Sequence, residues 1–312
     1  MRFPFKLPEH KRFDAAGFGL NAVDHLVLVP EYPAFDTKTR LLSHRQSAGG
    51  QTASAMVGLQ RLGMKTAYAG RFGSDHEGVF GLQSMRDEKV DVSFAETIEG
   101  ARTQIAYIFI DARNGERTIV WDRDQRVAYS ADEAPVEFAP LASVLHLDAH
   151  DAEACLRMAL AAHATGTIVS GDFDSVSDGL VDLLPHVDLL IANHDFPRQV
   201  TGIQDEKTAL TEMQARYGFR IVGMTLGVKG AIVLCDGVFI ESPAFPVPGG
   251  CHDTTGAGDA FHAGFIFGLL NGESVESCLK FGNAMAALKC RELGARTGLP
   301  TREELFSLLG MN

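Results

Sequence analysis

Long hydrophobic runs and paired cysteines are both missing from this chain. None of its 312 residues form an apolar stretch of the length a membrane span needs. Its five cysteines, Cys155, Cys235, Cys251, Cys278 and Cys290, are odd in number and widely spaced, with no C-x-x-C pair. That spacing suggests reduced thiols in a cytoplasm rather than a disulfide framework. Excess positive charge is absent as well. The net charge of −12 argues against broad nucleic-acid binding, while leaving room for a local basic patch. Met1 to Lys11 lacks the apolar segment of a secretory signal. No G-x-x-x-x-G-K-[ST] occurs, so there is no Walker loop. Gly17-x-Gly19-x-x-Ala22 fits a dinucleotide fingerprint only superficially. The aliphatic run Leu26 to Val29 follows where a long helix should open. What is present is ordinary globular composition, 46% hydrophobic and 22% charged, enough for one large α/β domain or two smaller ones.

The most informative stretch is Cys251-His-Asp-Thr-Thr-Gly-Ala-Gly-Asp-Ala-Phe261. Phe261, Phe265 and Leu269 recur at helical spacing, with Gly264 and Gly268 on nearly the same face, which predicts a tightly packed helix. Gly256, Ala257 and Gly258 fall in its first turn. A helix start leaves backbone N–H groups unpaired and carries partial positive charge, and small residues let an anion approach. Asp259 then sits beside the anion, where a carboxylate can take the proton of a hydroxyl that attacks phosphorus. A lone Gly-x-Gly would more often be a plain turn into a helix.

The full string D-T-T-G-A-G-D-A-F resembles the D-T-x-G-A-G-D signature of the ribokinase-like (PfkB) family of sugar and nucleoside kinases. Other segments resemble that family in the same order. Asp24 lies where an Asp after a glycine contacts substrate hydroxyls, with Asn21 close by; on its own, Asp24 reads equally as a turn or edge-strand carboxylate. Gly49-Gly50-Gln51 opens a helix as in the family's G-G-x-x-x-N, but Ser54 stands in place of Asn. Asn193 begins an N-x-x-E-like segment with Phe196 at the Glu position and Asp195 one residue early. Thr225, Gly227 and Gly230 match a T-x-G-x-x-G turn beside the nucleotide, and Asn283 is placed there too. Gly294 to Pro300 resembles the G-A-x-x-S-x-P tail, with Gly298 in place of Ser.

The resemblance implies an α/β, ribokinase-like fold: a central, mostly parallel sheet flanked by helices, with a small β lid. It implies a single kinase domain over residues 1–312, with lid strands near 35–47 and 101–127. It implies transfer of the γ-phosphoryl of ATP, with Mg2+, to a hydroxyl. Asp259 would be the base, and Gly256, Ala257 and Gly258 the anion hole. Asp24, Asn21, Gly49, Gly50, Gln51, Ser54 and Arg40 would bind substrate. In several members a monovalent cation, K+, is held mostly by backbone carbonyls, here those of Asp253, Thr255, Lys289, Glu292 and Gly294.

Residue patterns agree with that outline. From Ala142 onward, strand and helix patterns alternate, which argues for a parallel sheet. Thr37 to Arg45 reads as a strand or two of an exposed sheet, and Asn114-Gly115 marks a hairpin between Thr103–Ile110 and Glu116–Trp121. His146-x-Asp148-x-His150-Asp151 reads as a strand-end polar cluster rather than a metal site. Lys38, Arg40, Arg45, Arg123 and Arg126 suggest an anionic sugar as substrate, a ketohexose or its derivative. A nucleoside is the alternative, with Phe18, Phe109 and Trp121 as a slot for the base. A sugar-binding module without turnover is a third. The expected partners are sugar and ATP, with no nucleic acid, no membrane and a homodimer through the lid.

Overall fold

Near-continuous apolar runs build the large sheet. Ala142–Leu147, Ile168–Gly171, Leu189–Ala192 and Ile221–Thr225 are almost entirely buried, as strands covered on both faces must be. The computed structural model describes residues 1–311. Its eight-stranded sheet runs Val238–Ser242, Ala231–Cys235, Ile221–Thr225, Leu189–Ala192, Ile168–Gly171, Ala142–Leu147, Phe13–Phe18, Thr66–Ala69. The first two of these strands are antiparallel additions; the rest pair in parallel.

Helices cover both faces. Gln51–Arg61, Ala257–Leu270 and Val275–Lys289 pack on one face around Met56, Phe261, Phe265 and Phe281. Ala152–His163 and Glu206–Tyr217 pack on the other, around Met158, Phe173, Phe196 and Leu210. The small-residue face of the Ala257–Leu270 helix behaves as its spacing predicts. A Cβ on Gly264 would stand 2.5 Å from the Phe281 carbonyl oxygen, and one on Gly268 would stand 2.8 Å from Cys278 Sγ. Ser274 caps the next helix, its Oγ accepting from Ser277 N at 3.2 Å.

A second, four-stranded sheet has the order Ser43–Gly49, Ala22–Val29, Ile105–Asp111, Arg117–Asp122. It differs in membership from the sequence reading. Pairing with Ala22–Val29 begins only at Ser43, so residues 35–42 form no strand, and Ala22–Val29 itself is a lid strand. Elsewhere, a single bridge joins Ala67 to Asp91, and Glu96–Ile98 pairs in parallel with Arg71–Gly73. Residues alternate across the lid. Asp24 stands beside Ala106, and Ala106 beside Trp121, on the inner face. His25, Tyr107 and Val120 line up on the outer face.

Candidate active site

An open cleft of about 480 Å³ lies between the lid and the carboxyl ends of the parallel strands, the usual ligand position in open α/β sheets. Asp24, Gln104, Ile108, Arg117 and Trp121 face it from the lid side. Asp172, Asn193 and Thr225 face it from the strand ends, and Thr255, Gly256, Gly258, Asp259 and His262 from the helix start.

The helix start is shaped for an anion. Gly256 is its N-cap, with φ +77°, and a Cβ there would lie 2.7 Å from Ala295 Cα, so only glycine fits. Around Gly258 a Cβ would meet nothing within 4 Å, which leaves the first turn open to the cleft. The turn before it is held by Thr255 N donating to Asp253 Oδ1 at 2.8 Å and by Ala257 N donating to the Thr254 carbonyl at 3.1 Å. Thr255 Oγ1 is buried without a partner, a hydroxyl left over for a ligand on the cleft wall.

The cleft is acidic: Asp24, Asp172, Asp174 and Asp259 line it against one guanidinium, Arg117. Arg117 reaches down from the lid and donates to Thr254 Oγ1 at 2.6 Å. Burial, with the Asp172 carboxylate adding to it, pushes Asp259 up to about 8, while His262 opposes the shift. Burial also pushes Asp24 up to about 7, against the pull of the Arg296 charge. His262 Nε2 lies 3.3 Å from Asp172 Oδ1. Burial works against a charge on His262, but Asp172 outweighs it and raises the imidazole pKa.

Several predicted residues fall elsewhere. Asp24, Gly50, Gln51, Asn193, Thr225, Gly256, Gly258 and Asp259 line the cleft; Ala257 sits between Gly256 and Gly258 without lining it. Asn21 lines a smaller neighbouring cavity, and its Nδ2 donates to Tyr68 Oη and the Arg71 carbonyl. Gly49 backs Asp24: a Cβ there would stand 2.1 Å from Asp24 Oδ2. Ser54 is buried beneath the turn and accepts from Arg296 Nε at 3.2 Å. Arg40 is exposed in the loop before the lid strand, off the cleft, because that loop has no strand partner. Gly227 and Gly230 form the tight turn between two strands. Asn283 spends its amide on the Ser242 and Pro243 carbonyls, which ties strand to helix.

The basic cluster does not assemble. Arg123 is bound by Asp151 at 2.7 and 2.9 Å, and Arg126 by Asp124 at 3.0 Å; Lys38 and Arg45 are exposed. Of the aromatic slot, Trp121 alone lines the cleft. Phe18 is buried against Tyr129, and Phe109 is absent from the cleft wall. The strand-end cluster is spent internally. Asp148 accepts from Thr52 Oγ1 at 2.8 Å, and His150 Nε2 lies 2.8 Å from Gln51 Oε1. No group of three or more His, Cys, Asp or Glu that would hold a metal is found among the described residues.

The family model for pfkB family carbohydrate kinases matches residues 18–302. The chain belongs to the pfkB family of carbohydrate kinases. This kinase is 34% identical over 256 residues to an uncharacterized sugar kinase of Archaeoglobus fulgidus, covering 78% of the chain and 98% of the relative. It is 27% identical to a ribokinase of Haemophilus influenzae (92% and 95% covered). It is 26% identical to a nucleoside kinase of Methanothermobacter thermautotrophicus (93% and 94%). A crystal structure from Agrobacterium tumefaciens, provisionally assigned as a ribokinase, superposes with a TM-score of 0.88 at 27% identity, covering 96% and 97% of the two chains. The Arabidopsis thaliana ribokinase with ribose and ATP superposes at 0.81 and 23% identity, covering 96% and 99%. The fold is ribokinase-like, and the chain is a phosphotransferase of the sugar and nucleoside kinase class. No helix of the described residues is long and apolar enough to cross a membrane.

In this kinase the Glu position of the N-x-x-E-like segment is closed. Phe196 is fully buried, edge-on to Phe173 at 6.0 Å. Asp195 pairs with Arg198 at 2.8 Å and does not line the cleft. Sequence reasoning also missed Gln104, Arg117, Asp172, His262 and Arg296. Asp172 was within reach, since it directly follows a parallel strand at its carboxyl end.

Proposed function

We propose that this chain transfers the γ-phosphoryl of ATP to a hydroxyl of a neutral sugar, with a ketohexose as the first candidate. The acidic cleft supports a neutral substrate best. The two cationic groups that line the cleft beside Asp24, Asp172, Asp174 and Asp259 are already engaged, Arg117 with Thr254 and His262 with Asp172, so neither offers a free cation to a sugar phosphate or sulfonate. Buried Asp24 accepts from sugar hydroxyls, and Asp259 takes the proton of the attacking one. The Gly256–Gly258 turn, with its open first-turn amides and the spare Thr255 hydroxyl, suits the charge gathering on the phosphoryl group. Bound Mg2+ would shield the charge of the triphosphate; such an ion keeps several waters and needs few carboxylates. Asp174 lines the cleft and is the carboxylate that would hold it; burial and Asp172 raise its pKa, and a bound dication would oppose that shift.

Trp121, Ile108 and Ile119 form an apolar wall on the lid side of the cleft. They favour the second reading, a nucleoside kinase whose base packs there. The kinase is proposed to act as one unit over the whole chain, in a cytoplasmic setting that suits five free cysteines. A homodimer through the lid is supported by Tyr107 and Val120, exposed side by side on its outer face.

An ADP-release screen with MgATP tests the substrate, using neutral ketoses and aldoses, their phosphates, and nucleosides. Neutral sugars are expected to exceed their phosphates by about tenfold or more in kcat/KM. Preference for a sugar phosphate would sink the neutral reading, and preference for adenosine would install the nucleoside one.

A further inference from the structure

The last turn of the Val275–Lys289 helix points a lysine into the protein. Lys289 is fully buried. Its Nζ donates to the Asp253 carbonyl oxygen at 2.8 Å and reaches the Glu292 carbonyl oxygen at 3.4 Å. The Asp253 carboxylate is engaged elsewhere, accepting from Thr255 N at 2.8 Å and Gly294 N at 2.7 Å. The ammonium therefore sits among backbone carbonyls, with the buried Asp253 carboxylate as its counter-charge. An alkali cation asks for the same surroundings: several carbonyl dipoles and one nearby negative charge.

Asp253, Thr255, Lys289, Glu292 and Gly294 are the residues whose carbonyls the family resemblance placed around K+. They do not fit a free ion here. The space between the Asp253 and Glu292 carbonyls is taken by a cation that the chain itself supplies. A side-chain ligand from the tail is excluded too. At Gly298 a Cβ would stand 2.2 Å from the Lys289 carbonyl oxygen and 3.2 Å from Glu292 Cβ, so no serine fits the observed backbone.

We propose that the Lys289 ammonium is the built-in monovalent cation of this kinase, and that its activity is independent of K+. This rests on the phosphoryl-transfer reading above. The position explains what the charge does. Asp253 and Thr255 lead directly into the Gly256–Gly258 turn, and Lys289 ties that lead-in to the end of the neighbouring helix. His252 N, donating to the Cys290 carbonyl at 2.9 Å, fastens the same two segments. A tethered ammonium is always in place, so no ion-binding equilibrium gates the anion hole.

The test compares wild type, Lys289→Ala and Lys289→Met in KCl and in tetramethylammonium chloride at equal ionic strength. Wild-type kcat/KM is expected to agree between the salts within about twofold. Lys289→Ala opens the space, so it is expected to lose about 100-fold or more in tetramethylammonium and to recover at least about tenfold with K+ or NH4+. Lys289→Met fills the space without charge and is expected to stay low in every salt. Melting temperature supplies a readout that needs no substrate: K+ should raise that of Lys289→Ala and leave wild type at its tetramethylammonium value. Wild type activated by K+ beyond about twofold, or stabilised by it, would overturn the proposal. So would a folded Lys289→Ala that is blind to K+ in both activity and melting. If that variant does not fold in either salt, the wild-type comparison and Lys289→Met decide. If no substrate is ever found, the melting data still decide, which separates this failure from failure of the functional reading.

Discussion

Arg296 Nε donates to Ser54 Oγ at 3.2 Å, joining the C-terminal tail to the helix behind the Gly49–Gly50 turn. The same guanidinium donates to the Gly49 carbonyl, and the Arg296 carbonyl accepts from Arg61 Nη1 at 3.0 Å. Gly49 in turn backs the Asp24 carboxylate. A shorter residue at 54 thus goes with a long cation from the tail, and together they hold the turn that presents Asp24. Burial lowers the Arg296 pKa to about 10, with Asp24 the main charge opposing that shift.

Arg296→Met is therefore expected to raise sugar KM by about tenfold or more while changing kcat less, because the Asp24 carboxylate is mispositioned in ground and transition state alike. Ser54→Asn should also be harmful, since the added atoms meet Arg296. The double variant Ser54→Asn/Arg296→Ala is expected to be less damaged than the sum of Ser54→Asn and Arg296→Ala. Stability and KM of the four-member cycle decide. Additivity within about 0.5 kcal/mol would mean the two residues act independently.

Asp259 carries a conflict between function and stability. With its carboxyl raised to about 8, wild-type kcat/KM should climb with pH and level off only above that value. The sign for stability is opposite. The unfolded carboxyl, near 3.8, loses its proton long before the folded one, so the penalty is absent at acid pH, grows between about 4 and 8, and is complete above. Asp259→Asn should cost roughly 10³-fold in kcat, yet raise the melting temperature at pH 8 relative to wild type. Activity near wild type in that variant, or a flat profile from pH 6 to 9, would remove Asp259 as the base.

His262 sets where that titration falls. Its charge, held by Asp172, favours the ionised form of Asp259. In His262→Asn the favourable charge is gone and Asp172 is left unpaired, and both changes push the Asp259 carboxyl higher. The rising limb of kcat/KM should move to higher pH, with about tenfold loss at pH 7 that largely recovers by pH 9. Equal loss at every pH would make His262 a packing residue only.

Local backbone chemistry made the anion turn legible. Gly256 takes a positive φ, Gly258 leaves the turn open to the cleft, and the aromatic and glycine spacing that follows is that of a buried helix. The alternating strands and helices after Ala142 were legible for the same reason. What sequence hid is pairing across long separations. Arg117 meets Thr254 across 137 residues, and Arg296 meets Ser54 across 242. Arg123 and Arg126 read as a cationic patch until Asp151 and Asp124 are seen to neutralise them. Lys289 read as a backbone ligand because its side-chain direction depends on where the loop from Asp253 folds back.

Phe196 and Asp195 allow the sharpest check on what the family pattern can be asked to supply. Asp195 is bound to Arg198 and lies off the cleft, so it is not expected to stand in for the missing Glu. Asp195→Asn is expected to keep kcat and the Mg2+ dependence within about twofold of wild type. Restoring the Glu should fail as well. Phe196 is fully buried against Phe173, and Phe196→Glu would place a carboxylate in an apolar cluster, costing about 3 kcal/mol or more in stability. Its melting temperature should fall and its Mg2+ activation should not improve. A tenfold or greater loss in Asp195→Asn, with the fold intact, would show that the helix start at Asp195 shifts when MgATP binds and brings that carboxylate to the phosphates.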